Sequence, residues 1–323
     1  MPVASSVAGP GRSCPRSYFY GPQALAGEAC LRVDSLWVAG GLYGNPFALD
    51  ALLEAYDREG GAKALVFNGD FHWFDVDPSE FERIDAAVLG FHAMRGNVET
   101  ELAAPGAEAG CGCGYPDWVD DATVERSNRI LERLRATAQS RHAALRRLAA
   151  LPMHTVAGIG NERVAVVHGD YGSLAGWGFS QEVLLTAEGL AAADKAFDEA
   201  QVKVFASSHS CLPVLQSFAR GRLLINNGAA GMPNFRGELF GLATRIAVSP
   251  STEALHRLRC GELFVEAVPL RYDAEAWERS FLRQWPAGSD AHISYHRRMT
   301  HGPQYSRAQA LRTTPYFTSP RMS

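Results

Sequence analysis

Short apolar runs in this chain end, one after another, in a glycine or serine beside an Asp, Asn or His. Residues 64–67 run into Asn68-Gly69-Asp70, 93–95 into Gly96-Asn97, 163–167 into His168-Gly169-Asp170, and 202–206 into Ser207-Ser208-His209. A further run, 36–39, ends in Gly40, Gly41 and Gly44. Brief apolar stretches closed by turn-forming residues read as buried strands. Helices are written between them. Asn45-Pro46 is a side-chain cap followed by proline at the first helical position. Leu49, Leu52, Leu53 and Tyr56 then share one face before Gly60-Gly61 stops the helix. Asp77-Pro78 opens a second helix in the same way, and further helical stretches cover 121–151 and 187–200. Strands alternating with helices predict an α/β fold with a mainly parallel sheet. Sites in such sheets gather where strands deliver residues at their carboxyl ends.

Four of those ends deliver Asp70, Asn97, His168 and His209. One carboxylate, one amide oxygen and two imidazoles make a ligand set for a divalent transition metal, and the mixture admits Mn, Fe, Zn or Ni. His72 lies two residues past Asp70, so on an extended segment it would share that residue's face as a ligand or acid–base group. Arg95, beside Gly96-Asn97, is a candidate for orienting phosphate oxygens. Asp75 and Asp170 lie close in sequence to ligand positions, and His292, His296 and His301 belong to a segment that could fold over the mouth. The chain has six cysteines and no Cys-x-x-Cys pair. Cys111 and Cys113, in Gly-Cys-Gly-Cys-Gly, read as a tight turn, since two thiolates alone leave a metal site incomplete.

Composition narrows the partners. A formal net charge of −4 gives no electrostatic reason to expect nucleic acid or an anionic membrane, while a compact phosphorylated substrate stays compatible with it. No apolar run approaches the roughly 20 residues needed to span a bilayer. Residues 1–13 lack the basic start and apolar stretch of a secretion signal, so the expected location is cytoplasmic. The 323 residues are ample for one large α/β domain with appendages. Residues 1–34 read as an irregular N-terminal arm, 35–270 as the domain with a helical insertion at about 103–151, and 271–323 as a C-terminal helical appendage.

Taken in order, the motifs resemble those of the calcineurin-like metallophosphoesterases over roughly residues 36–246. Gly69-Asp70, Gly96-Asn97-Val98-Glu99, Val167-His168-Gly169 and Ser208-His209-Ser210-Cys211 stand where that family carries Gly-Asp, Gly-Asn-His-Asp/Glu, a strand-ending His and Gly-His-x-His. Asn226-Asn227-Gly228-Ala229 is similar to the Asn-Pro-Gly-Ser turn that follows, and 40–45 is a remnant of the first motif, Asp-x-His. The resemblance implies a four-layer α/β/β/α sandwich of two mixed β-sheets with helices outside. It implies hydrolysis of a phosphate mono- or diester by a metal-activated water, with one or two ions. It makes Asp70, Asn97, His168 and His209 the ligands of one ion, with Glu99 as the carboxylate partner in catalysis. The other ion's ligands and the general acid are replaced, by Gly41, Tyr43, Cys211 and Val98. Of these only Cys211 is a ready donor, as a thiolate. Two readings follow: a hydrolase with a single or rearranged metal centre, or a catalytically weak or inactive relative that binds metal or a phosphorylated ligand as a scaffold.

Overall fold

The computed structural model describes residues 9–104, 106 and 108–313. The outermost parts of the expected arm and appendage, 1–8 and 314–323, lie outside the described residues. In chain order the elements are β1 Leu31–Val33, β2 Ser35–Ala39, α1 Pro46–Asp57, β3 Lys63–Asn68, α2 Pro78–Val88, β4 His92–Met94, α3 Asn97–Ala103, α4 Asp121–Ala138 and α5 His142–Ala150. They continue with β5 His154–Ile159, β6 Glu162–Val167, α6 Ala187–Ala200, β7 Val204–Ser207, β8 Pro213–Phe218, β9 Arg222–Asn227, β10 Gly241–Ala247, β11 His256–Cys260, β12 Leu263–Leu270, α7 Ala274–Gln284, α8 Asp290–His301, α9 Arg307–Ala310 and β13 Leu311–Arg312. Among the described residues, no helix is long and apolar enough to cross a membrane.

The strands form two mixed sheets, ordered β11-β12-β10-β2-β3-β4 and β1-β5-β6-β7-β9-β8-β13. The parallel runs β2-β3-β4 and β6-β7-β9 hold the centres, and antiparallel strands extend them. Period-two alternation sorts the side chains into layers. Leu36, Val38 and Val66 of one sheet meet Val164, Val166, Val204 and Ile225 of the other in the core between the sheets. The intervening Trp37, Leu65 and Phe67 face α1, α2 and α4, while Ala165, Val167 and Phe205 face Ala193, Ala196 and Phe197 of α6. Helix, sheet, sheet and helix are the four layers expected.

Local chemistry starts the helices as read. Asn45 Oδ1 accepts the N–H groups of Phe47 and Ala48 at 3.0 Å, and Asp77 Oδ1 accepts those of Ser79 and Glu80. The N-terminal arm packs on the domain: Tyr18 and Leu25 are buried, and its short strand β1 pairs in parallel with β5. Two readings need correction. The stretch 121–151 is two helices, broken at 139–141. Beyond the single late strand expected, the antiparallel strands β5, β8, β10 and β11 complete the sheets. The C-terminal pair α7–α8 packs on the turn after β3, with Phe281 and Tyr295 edge-on to Phe74 and Trp285 Nε1 donating to its carbonyl at 2.8 Å.

Candidate metal centre

The carboxyl ends of β3, β6 and β7 and the first turn of α3 converge where the two sheets meet. Asn68 Nδ2 donates to the Val167 carbonyl at 2.9 Å and ties one sheet to the other there. Asp70 then turns at φ 52°, a left-handed conformation that Asp tolerates better than most residues. Gly69 and Gly96 permit the crossing. A Cβ on Gly69 would lie 2.5 Å from Gly96 N and 2.7 Å from His168 Nδ1, and one on Gly96 would lie 2.3 Å from Asp70 Oδ1.

Asp70, His168 and His209 present ligand atoms all within 4.8 Å of one another. His168 Nε2 is the hub: 3.4 Å from Asp70 Oδ2, 3.2 Å from Asn97 Oδ1 and 3.1 Å from His209 Nδ1. The far atom of each ligand fixes what the near atom can be. His168 Nδ1 faces the Asn68 carbonyl at 2.8 Å and must donate to it, so Nε2 carries the lone pair of the neutral ring. His209 Nε2 faces the Cys113 carbonyl at 2.9 Å and donates there, which leaves a lone pair on Nδ1. Asn97 Nδ2 donates to the Cys111 carbonyl at 2.9 Å, which turns Oδ1 inward. With His168 neutral, two imidazole lone pairs, an amide oxygen and a carboxylate oxygen point at one another with no side-chain proton to share. Acceptors so gathered need a cation. The donor set fits a divalent transition metal, and the outward hydrogen bonds are the kind that orient metal-bound histidines.

Without an ion, a proton on His168 Nε2 takes the cation's place. Burial disfavours the His168 imidazolium, but the Asp70 carboxylate outweighs it and holds the pKa above the ordinary value. Burial, then the positive charge of His168, push His209 down to about 4, so its ring is neutral at physiological pH. Asp70 is also buried, yet the two imidazoles hold its carboxyl below the usual range.

The replaced positions form a plug. Tyr43 Oη and Cys211 Sγ lie 2.7 Å apart beside Asp70, and the Tyr43 ring lies over Gly41. Burial raises the pKa of both groups. Cys211 Sγ meets the Tyr43 phenol and stands outside the Asp70–His168–His209 cluster. The cavity over the centre measures about 50 Å³, with walls that include Trp73, Val98, Tyr115, Trp177 and Tyr295. That is room for a few water molecules, each taking roughly 10–15 Å³, well short of the roughly 300 Å³ where drug-sized ligand pockets begin. Among the described residues, no lysine or arginine lines it.

Other expected site residues sit behind this wall or away from it. Glu99 is fully buried and accepts N–H bonds from Gly96, Asp70, Phe71 and His72, so it clamps the β3 turn to the start of α3. Burial and the nearby Asp70 charge raise its pKa. His72 points away from the cavity, with Nδ1 2.6 Å from Asp75 Oδ2 and its ring stacked on Phe81. Burial alone would lower its pKa, but Asp75 carries it up to about 9. Arg95 donates to the Ala149 carbonyl at 3.0 Å and does not line the cavity. Asp170 accepts N–H bonds from Gly172, Ser173 and Gly178 and shapes the loop that carries Trp177. Of the C-terminal histidines none lines the cavity, and it is Tyr295 of α8 that reaches it. Sequence reasoning missed Tyr115, Trp177 and Tyr295, which had no motif to mark them. The Gly-Cys-Gly-Cys-Gly turn was visible, but its part in holding Asn97 and His209 runs through backbone carbonyls.

Two mixed sheets between helices, with ligand-bearing turns where the sheets meet, define the calcineurin-like metallophosphoesterase fold. Comparison with known proteins agrees. The chain is similar in structure to a metallophosphoesterase from Sphaerobacter thermophilus, with 16% identity and a TM-score of 0.53 over 83% of this chain and 100% of that one. It is similar also to a hypothetical protein from Pyrococcus horikoshii OT3, with 17% identity and a TM-score of 0.57 over 85% of this chain and 100% of that one. At such identity the likeness is one of fold. No protein-family model matches the sequence, and no curated protein matches it.

Proposed function

We propose that this chain binds a single divalent transition-metal ion through Asp70, Asn97, His168 and His209, and at that ion a small phosphate-like anion, without competent ester hydrolysis. The observation that carries the reading is the convergence of four acceptor atoms: the outward atoms of His168, His209 and Asn97 are committed to donating, and the second oxygen of Asp70 accepts the Val98 N–H. A bound ion would supply Lewis acidity and positive charge for an anion's oxygen. The chain's own residues do the rest: Glu99 holds the Asp70 turn, the 111–113 carbonyls orient Asn97 and His209, and the aromatic wall excludes bulk water. Three features weigh against turnover. Val98 stands where the resemblance implies a general acid, Tyr43 and Cys211 fill the place of a second ion, and the cavity is too small for an ester with a sizeable leaving group.

The second reading, a one-ion hydrolase of compact phosphate esters, is favoured by the retention of every ligand for that ion with the cavity directly on Asp70, Asn97 and His209. Elemental analysis of the full chain, with Asp70→Ala and His209→Ala beside it, tests the common part: one ion per chain, lost in both variants. A screen of phosphate mono- and diesters with the Mn-, Fe-, Zn- and Ni-loaded protein separates the readings. Turnover that vanishes in Asp70→Ala would select the hydrolase, and inorganic phosphate binding without turnover selects the binding protein.

A further inference from the structure

Two side chains at the replaced metal positions touch each other. Tyr43 Oη lies 2.7 Å from Cys211 Sγ. That is the usual separation of two hydrogen-bonded oxygens, and it is short for an oxygen against the larger sulfur. Both residues sit on left-handed backbone, with φ of 56° and 61°. Each is also held from behind. The Tyr43 N–H bonds the Asp70 carbonyl at 3.1 Å, and the Cys211 N–H bonds the Ser208 carbonyl at 2.9 Å. Arg298 Nη2 donates to the Cys211 carbonyl at 2.7 Å. The phenol ring lies so close over Gly41 that a Cβ there would come within 3.0 Å of Cζ, Cε2 and Oη. These hydrogen bonds fix the two backbone positions from which the side chains meet. The ring carbons ortho to the hydroxyl lie two bonds from the oxygen that sulfur touches.

We propose that Tyr43 and Cys211 form a modification site, in which oxidation joins Cys211 Sγ to an ortho carbon of the Tyr43 ring as a thioether. The C–H bond at that carbon and the S–H bond break, and one C–S bond forms. The two electrons and two protons released pass to dioxygen, which leaves as hydrogen peroxide. The adjoining cavity of about 50 Å³ has room for a diatomic molecule, since one water takes roughly 10–15 Å³. The bond ties the 40–45 loop to the 207–212 loop, the same loops that an ion held at positions 41, 43 and 211 would join. This inference stands whether or not the neighbouring centre hydrolyses esters.

The test is covalent and independent of activity. The full chain is produced without air and then exposed to air with ferrous, manganous or cupric ion added in turn. After denaturation and treatment with dithiothreitol, the exposed protein should titrate one thiol fewer than the six cysteines of the sequence. Its mass should fall by two hydrogen atoms, and a digest should yield the Tyr43 and Cys211 peptides as one linked species. Tyr43→Phe, lacking the hydroxyl that activates the ring, should keep every thiol under the same treatment. Separate peptides and a full thiol count in the wild type with each metal would overturn the proposal. So would a thiol loss that dithiothreitol reverses, because that marks a disulfide elsewhere.

Discussion

At the scale of single residues, the proposed metal ion would compete with a proton for the centre. His168 sits among Asp70 Oδ2, Asn97 Oδ1 and His209 Nδ1, and its pKa is held above the ordinary value, so protons compete for Nε2 at higher pH than at a free imidazole. Metal binding should release a proton and weaken as pH falls from about 8 to about 6. Calorimetry in buffers of different ionisation enthalpy reads both effects, and an affinity flat across that range would sink the assignment. Behind the wall, His72 bears on stability. Its pKa of about 9 exceeds the unfolded value, so its contribution is full below about pH 6.5 and is lost as pH rises through about 9. His72→Leu leaves Asp75 buried without its ion-pair partner and should cost about 3–5 kcal/mol in urea unfolding at pH 7. It should also abolish the part of the wild type's stability loss between about pH 6.5 and pH 9 that His72 contributes. The four ligands were legible because each ends a short strand. The roles of His72, Glu99 and Arg95 were not, because sequence neighbours of Asp70 and Asn97 can face either side of a turn, and burial decides which.

At the scale of elements, the segment that does most for the centre is the 110–114 turn. It contributes no ligand, yet its carbonyls at Cys111 and Cys113 orient Asn97 and His209, and Cys113 O also takes Trp177 Nε1 at 3.0 Å. The turn depends on glycine: Gly112 has φ +66°, and a Cβ there would lie 2.4 Å from Tyr18 Oη and 2.8 Å from Glu101 Cγ. Gly112→Ala should therefore lower metal affinity about 10- to 100-fold, as loss of outer hydrogen-bond partners does at other metal sites, with a loss of more than about 1 kcal/mol of stability. Titration with metal alongside thermal unfolding checks both. Unchanged affinity in a folded variant would mean that the carbonyls do not position the ligands. Tyr18 itself comes from the arm that sequence alone marked as irregular. It carries no periodic pattern because it is pinned residue by residue: Tyr18 Oη donates to Glu101 Oε1 at 2.6 Å, and the β1 register adds Leu31–Val33 to β5. The antiparallel strands β8, β10 and β11 escaped notice for a related reason. Stretches such as 213–218 and 256–260 mix polar and basic residues into the run, and it is pairing with β9 and β12 that makes them strands.

At the scale of the whole molecule, both loops that the resemblance implies would share a second ion are present, while side chains suited to a metal gather on one side only. The 40–45 and 207–212 loops still meet across the sheet junction, but Tyr43 and Cys211 meet there without an ion. The Tyr43 ring occupies the space that a side chain on Gly41 would need. The plug therefore works by volume as well as by ligand loss, and adding one ligand back should fail. Gly41→Asp alone places a Cβ against the phenol ring on a residue at φ +64°, which costs about 1–2 kcal/mol in backbone strain before any clash. Combined with Tyr43→His and Cys211→His the clash disappears, and three donors then face the space beside Asp70. Elemental analysis should rise from one ion per chain to two in the triple variant and stay at one in Gly41→Asp. Adding Val98→His to the triple variant places an imidazole where the resemblance implies a general acid, so phosphate ester hydrolysis should appear or increase by 10²–10⁴-fold with that fourth change. If the triple variant folds and still binds one ion, the Tyr43–Cys211 contact is not what excludes the second. The aromatic wall of Trp73, Tyr115, Trp177 and Tyr295 would then be the barrier, and widening it with Trp177→Ala would be the change that admits the ion.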